Sequence, residues 1–200
     1  MNPFTRTEYQ NETFQDLDGH RLQVAGIQFQ DCVFKGCNLG ESQFRNCSFD
    51  HCRFENCDLS LARLPYARFE ETSFKGCRLI GINWCTVNWD RKSLLIKKRV
   101  DFSNCYLDHG IFINLDLKNT AFTECHAHHL DFEGANLSQA DFSGSDLEMS
   151  RIVGCDLTEA NFVGAQNYQI NAAENTLHQA RFALPEAVAL LYSLDIVIQE

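Results

Sequence analysis

"CHAHHL", residues 125–130, places one thiol and three imidazoles within six residues. Cysteine and histidine at such spacing suggest a zinc site, and a metal there could activate water for hydrolysis. Ten cysteines in 200 residues raise both the metal and the disulfide possibilities. A second stretch, "DRKSLLIKKR" at residues 90–99, holds five of the 17 basic residues beside the apolar triplet Leu94, Leu95 and Ile96. A third feature is carboxylate density. Residues 101–161 carry 11 acidic and two basic residues, a net −9. Paired carboxylates do acid–base work inside a concave pocket, whereas solvated ones present a fixed negative field.

Which of these chemistries survives depends on the elements that position the residues. Phe or Leu returns at 34, 39, 44, 49, 54 and 59, every fifth residue. Helices repeat near 3.6 residues and flat strands at 2, so neither accounts for the pattern. Taking the bulky residue as a centre, centres run from Phe4 to Trp89 and again from Phe102 to Phe162, with a mostly small residue two places before them. A longer period overlies the short one: Phe14, Phe34, Phe54 and Phe74 are 20 residues apart, as are Phe102, Phe122, Phe142 and Phe162. Identical residues at that spacing predict identical residues stacked one coil above the next. Four five-residue steps per coil predict a four-sided solenoid, its coils joined at the strand spacing of ~4.8 Å.

That register decides the chemistry. Nine of the ten cysteines fall in the small-residue phase, which also accepts Ala62, Ala67, Thr72, Ala135, Ala140 and Ser145; only Cys85 is off it. A position shared by these residues is a small buried one, and a free Cys fills it as a hydrophobe. The cysteines are therefore expected to be reduced and structural. Cys125 points inward while His126, His128 and His129 flank the centre Ala127 and point out, so thiol and imidazoles face opposite sides. His109 and His129, 20 apart, are expected to stack on one face, still short of a closed tetrahedron. No metal, cofactor or catalytic residue is predicted, and the chain is read as a binding protein and not an enzyme. Gly76, Gly81, Gly134, Gly144, Gly154 and Gly164 are scattered turn residues, not a phosphate loop.

Composition agrees. Two hundred residues suggest one domain or two small ones. A net charge of −10 argues against direct nucleic-acid binding. The N-terminus lacks an apolar signal core, and no stretch approaches the ~20 apolar residues of a membrane span, so the expected setting is cytoplasmic with no membrane partner.

The repeat breaks between Trp89 and Phe102, 13 residues instead of five. If the Phe column resumes at 102, about eight residues leave the wall as a loop. Arg91, Lys92, Leu94, Leu95, Ile96, Lys97, Lys98 and Arg99 are the candidate partner-binding residues. The carboxylates Asp101, Asp108, Asp116, Asp131, Asp141, Asp146, Glu148 and Asp156 lie at outward positions and form a candidate DNA-like acidic face. That half of the rod is some three coils, roughly 15 Å long by the strand spacing. Its charge density is of the order of duplex DNA, which has one charge per ~1.7 Å of axis. Residues 181–200 leave the repeat. Pro185 suits the first helical position and Glu186 the first turn. Leu184, Val188, Leu191 and Leu194 form a helical stripe, and "DIVI" reads as a strand containing Ile196. Two units follow: a β-helix over 1–180 interrupted at 90–99, and a segment over 181–200 that caps the tube, joins two copies, or does both. Leu184, Pro185, Val188, Leu191, Leu194 and Ile196 are the candidate dimer interface.

"ANLSQADFSGSDLEMS", residues 135–150, resembles the A(D/N)LXX pattern of the pentapeptide-repeat family over roughly residues 4–165. The resemblance implies an all-β, right-handed quadrilateral β-helix with a short C-terminal helix and strand. "ARFALPEAVALLYSLDI", with "NCDLSLARLPYARFEETSFKGCRLIGINW" earlier, is similar to the albicidin-resistance, microcin-resistance and quinolone-resistance (Qnr-type) members. Those act on type II topoisomerases. This similarity implies a homodimer joined at the C-terminus, a rod about as wide as DNA that binds DNA gyrase, with topoisomerase IV as its relative, and relieves poisoning. It also implies a role for the loop at 90–99, one loop where several quinolone-resistance members have two. The competing expectation is a structural repeat protein with another protein partner.

Overall fold

Each coil is held to the next by backbone hydrogen bonds, mostly between residues 19 or 21 apart, which put residues 20 apart in register. The computed structural model describes residues 3–89, 100–194 and 196. Strands of two to four residues pair in parallel throughout. The longest sheet stacks Thr13–Gln15, Val33–Lys35, Arg53–Glu55, Thr72–Lys75, Val100–Ser103 and Phe122–Thr123. Single bridges continue the ladder to Asn161 and Arg181. This is a parallel β-solenoid, the expected pentapeptide-repeat β-helix.

The interior is filled as the period requires. Phe34 and Cys52 are fully buried, and the Phe column runs unbroken from Phe14 through Phe182. Its rings lie nearly parallel, from 4.5 Å apart at Phe34–Phe54 to 5.5 Å at Phe74–Phe102. A second aromatic column stacks Tyr9, Phe29, Phe49 and Phe69. Offset stacking adds about 0.5–1.5 kcal/mol per pair beyond the burial itself.

The small position has a hydrogen-bonding reason as well as a steric one. There the thiol of Cys37, Cys52, Cys57 or Cys77 donates to the carbonyl 23 residues earlier, at 3.3–3.4 Å. Thr72 and Ser42 do the same at 2.9 and 2.7 Å. Cys, Ser and Thr thus interchange because each fits and each answers a wall carbonyl. All ten cysteines are free, and only Cys85 is exposed. Burial pushes the Cys52 thiol up to about 12, which keeps it from acting as a thiolate.

Each corner falls two residues after a centre, in the left-handed region. Asn11, Asp16, Asn46, His51 and Asn56 have φ of 51–55°. Asn, Asp and His tolerate this conformation best. Leu61, Tyr66 and Met149 occupy it too, with their side chains in solvent.

Phe74 pairs with Phe102, a separation of 28 where other coils take 20, so eight residues are extra. Trp84 is buried among Phe69, Phe74, Phe102 and Phe112 at this point. Trp89 donates its indole N–H to the Trp84 carbonyl at 2.9 Å and closes the wall before the insertion. The predicted loop residues Arg91, Lys92, Leu94, Leu95, Ile96, Lys97, Lys98 and Arg99 lie outside the described residues.

At the C-terminal end the expected helix is two short pieces, a 3-10 turn at Glu186–Val188 and one α-turn at Ala189–Tyr192, with Pro185 at the N-cap. Ala189 and Leu190 rest on the core, not the Leu184–Leu191–Leu194 stripe. Ser193 ties the turn down by accepting from the Ala172 N–H and donating to the Leu190 carbonyl. Of the predicted "DIVI" strand only Ile196 is described, and it lies in no strand. Among the described residues no helix is long and apolar enough to cross a membrane.

Candidate functional site

Register places the predicted carboxylates on all four walls, which corrects the single acidic face expected from the sequence. Asp101 and Asp141 are on the wall over the Phe column, and Asp116 and Asp156 on the wall over Leu117. Asp131 is on the wall over Trp84, and Asp146 on the wall over Leu107. Asp108 and Glu148 sit at the corner following Asp146's wall, one coil to either side of His128. The physical reason is the five-residue step itself: Asp before every centre turns through a right angle each time.

Seven of the eight are half-buried, and Glu148 is exposed. They help build the wall. Asp141 accepts from the Ser143 N–H at 3.0 Å and from the Asn161 amide at 2.8 Å. Asp116 accepts from Asn136, Asp131 from the Glu133 N–H, and Asp101 from the Ala121 N–H. Thr158, through its hydroxyl and its N–H, holds the Asp156 carboxyl below the usual range. Asp146 is lowered too. Partial burial opposes its charge, but donors from Asn167, His128 and the Glu148 N–H outweigh it. Asp146 and Asp156 therefore stay ionised at neutral pH.

Few cations answer them. In the first half Arg21 forks onto Glu41 and Arg78 lies 3.8 Å from Asp58. In residues 101–161 the basic residues are Lys118 and Arg151, and Arg151 is engaged with Glu133 and Asp131. The second half is a negatively charged rod around its whole girth.

An open depression of about 570 Å³ includes Asn88, two residues before the insertion. Ser48, Asp50, Arg68, Glu70 and Asn88 are among its lining residues. The buried Cys47 also borders it, its thiol pushed up by burial, and the polar groups around it suit recognition.

At the C-terminal end Leu184 is 80% exposed, Leu194 52%, Ile196 49% and Leu191 40%. Pro185 is exposed and Val188 half-buried. The four large residues leave apolar surface at the last coil.

The histidines are where ligand counting along the chain fell short. Cys125 is buried and turned inward, as the register implies, and His109 stacks on His129 at 4.8 Å. The coils above and below, however, bring carboxylates to His126 and His128. Asp108 lies 2.7 Å from His126 Nδ1, and Asp146 lies 3.0 Å from His128 Nε2. The 20-residue columns 106–126–146 and 108–128–148 hold this information.

A family model described as the pentapeptide repeat region matches residues 27–108 and 98–162. No curated protein sequence matches the chain. Among solved structures, the fold is similar to HetL, described as a pentapeptide repeat protein involved in heterocyst differentiation regulation from the cyanobacterium Nostoc sp. strain PCC 7120. Identity is 18%, coverage is 86% of this chain and 84% of HetL, and the TM-score is 0.64. It is also similar to a trypsin-treated variant of QnrB1, described as a plasmid-mediated fluoroquinolone resistance protein. There the identity is 19%, coverage 100% and 94%, and TM-score 0.56. At these identities the likeness is one of fold.

Proposed function

This chain belongs to the pentapeptide-repeat family, and from that premise we propose that it is a binding protein that stands in for duplex DNA on a type II topoisomerase, DNA gyrase or its relative topoisomerase IV, and protects the enzyme from a poison. The observation that carries this reading is the second half of the rod, with 11 carboxylates against two cations and acidic residues on every wall. Duplex DNA is likewise charged around its girth, so a groove that receives DNA is suited to receive this rod. The fluoroquinolone-resistance role described for QnrB1, a similar fold, supports the choice of partner.

Protection demands discrimination. A mimic that bound every state of the enzyme equally would only inhibit it, so the rod must favour the poisoned complex over the working one. The loop at 90–99, with Arg91, Lys92, Lys97, Lys98 and Arg99, is the proposed discriminator: it reaches toward the site of DNA cleavage. Two copies join through Leu184, Pro185, Val188, Leu191, Leu194 and Ile196, doubling the rod with a two-fold axis at the apolar end. Changing Leu191 and Leu194 together to Asp is expected to give monomers in light scattering, and an unaltered dimer would place the contact elsewhere.

The functional test is supercoiling by purified gyrase, with and without a poison, as the protein is titrated in. Rescue at low concentration and inhibition at high concentration are expected. Neither effect at any concentration would remove the topoisomerase reading. The regulatory role described for HetL, a similar fold, favours the alternative of a scaffold for another protein partner.

A further inference from the structure

Five metal-ligating side chains from three successive coils converge on the wall over Leu107. Asp108 comes from one coil, His126 and His128 from the next, and Asp146 and Glu148 from the third. The donor atoms of Asp108, His126 and His128 all lie within 4.8 Å of one another, and so do those of His128, Asp146 and Glu148. The two imidazole rings are 3.6 Å apart, centre to centre. His128 is largely enclosed, and its Nε2 faces Asp146 Oδ2 at 3.0 Å.

Ion pairing alone accounts poorly for this arrangement. Two protonated imidazoles at such a distance repel, so the rings cannot both be cationic partners of the surrounding carboxylates without cost. One shared cation removes that repulsion: each neutral ring gives a lone pair and the carboxylates balance the charge. We propose that Asp108, His126, His128 and Asp146 form a site for one divalent transition ion, with Glu148 at its rim. Two imidazoles with carboxylates suit zinc, whereas magnesium and calcium take oxygen ligands. Zinc ligands sit about 2.0–2.2 Å from the metal; the donors of Asp108, His126 and His128 already lie within 4.8 Å of one another, and Asp146 has to turn toward them from the triad that shares His128.

The four ligands come from three coils, so the ion would clip them together on the outside of the tube. It would also offset part of the negative charge of that wall. The site does not depend on the topoisomerase reading.

The test uses tag-free protein carrying Cys85→Ser, which removes the exposed thiol as a competing ligand. Zinc is titrated by calorimetry into this protein and into the same chain with His126→Asn and His128→Gln. Both rings lie on the outer skin, so circular dichroism of the metal-free variants should match the parent. One zinc per chain is expected, weakened at least about tenfold by either single change, the scale on which even outer-shell partners act. The double variant should bind none. Cobalt in place of zinc should give visible d–d absorption without a thiolate charge-transfer band, and zinc should raise the melting temperature of the parent alone. No zinc uptake, uptake unchanged in the double variant, or a thiolate band would each overturn the proposal.

Discussion

Phe34→Ala is expected to destabilise the protein by about 3–5 kcal/mol, the range for emptying a fully buried aromatic site. The ring is wholly enclosed, lies 4.9 Å from Phe14 below and 4.5 Å from Phe54 above, and meets Phe29 edge-on at 5.3 Å. Collapse cannot relieve the cavity, because the backbone ladder fixes the coil spacing on every side. Each coil of a solenoid is stable only because its neighbours cover it, so the damage spreads to the coils above and below. Phe182→Ala offers the contrast. That ring is half-buried and has one stacked neighbour in its column, Phe162 at 5.1 Å. Its loss should cost less than half as much. Urea unfolding followed by circular dichroism measures both. A loss below about 1 kcal/mol at Phe34, or equal losses at the two positions, would contradict a stacked tube.

The second large effect is on function without a matching effect on fold. Removing residues 90–97 joins Trp89 to Lys98 and leaves Phe102 five residues after Trp89, which restores the repeat. The excess of eight read from the Phe74–Phe102 pairing fixes the length of this excision. The wall on either side should close, because Val100 is already buried and Phe102 already stacks on Phe74. The melting temperature is therefore expected to stay within a few degrees. Rescue of poisoned gyrase should fall at least about tenfold, a coupling of roughly 1.4 kcal/mol. Full rescue by the shortened chain would take the loop out of the mechanism. Loss of the fold would show that the insertion also holds the coils together.

Period and core were legible because they are repeated. Twenty-residue columns such as Phe14–Phe34–Phe54–Phe74 reveal both the coil length and the inward face, and the exchange of Cys with Ala, Ser and Thr reveals a small buried slot. The left-handed corner two residues after each centre was not legible, since Leu61, Tyr66 and Met149 occupy it alongside Asn, Asp and Gly. Aspartates before successive centres read as one face along a line of text, but each five-residue step turns a corner. The His126–His128 cluster was hidden for a related reason. Its carboxylates are remote in sequence and adjacent only through coil register, which the 20-residue spacing encodes. The apolar tail was legible as a cap, a joint between two copies or both; Ala189 and Leu190 pack on the core and leave Leu184, Leu191 and Leu194 outside.

The central claim is that this rod occupies the place of DNA on a topoisomerase. A fluorescent duplex bound to gyrase, titrated with the protein and followed by anisotropy, tests it most directly. Displacement of the duplex is expected, weakening as salt rises because the contact is between a basic groove and fixed carboxylates. Asp141→Asn with Asp156→Asn should shift the titration to higher concentration. A duplex that stays bound while the protein joins the complex, or a titration indifferent to salt, would contradict the account.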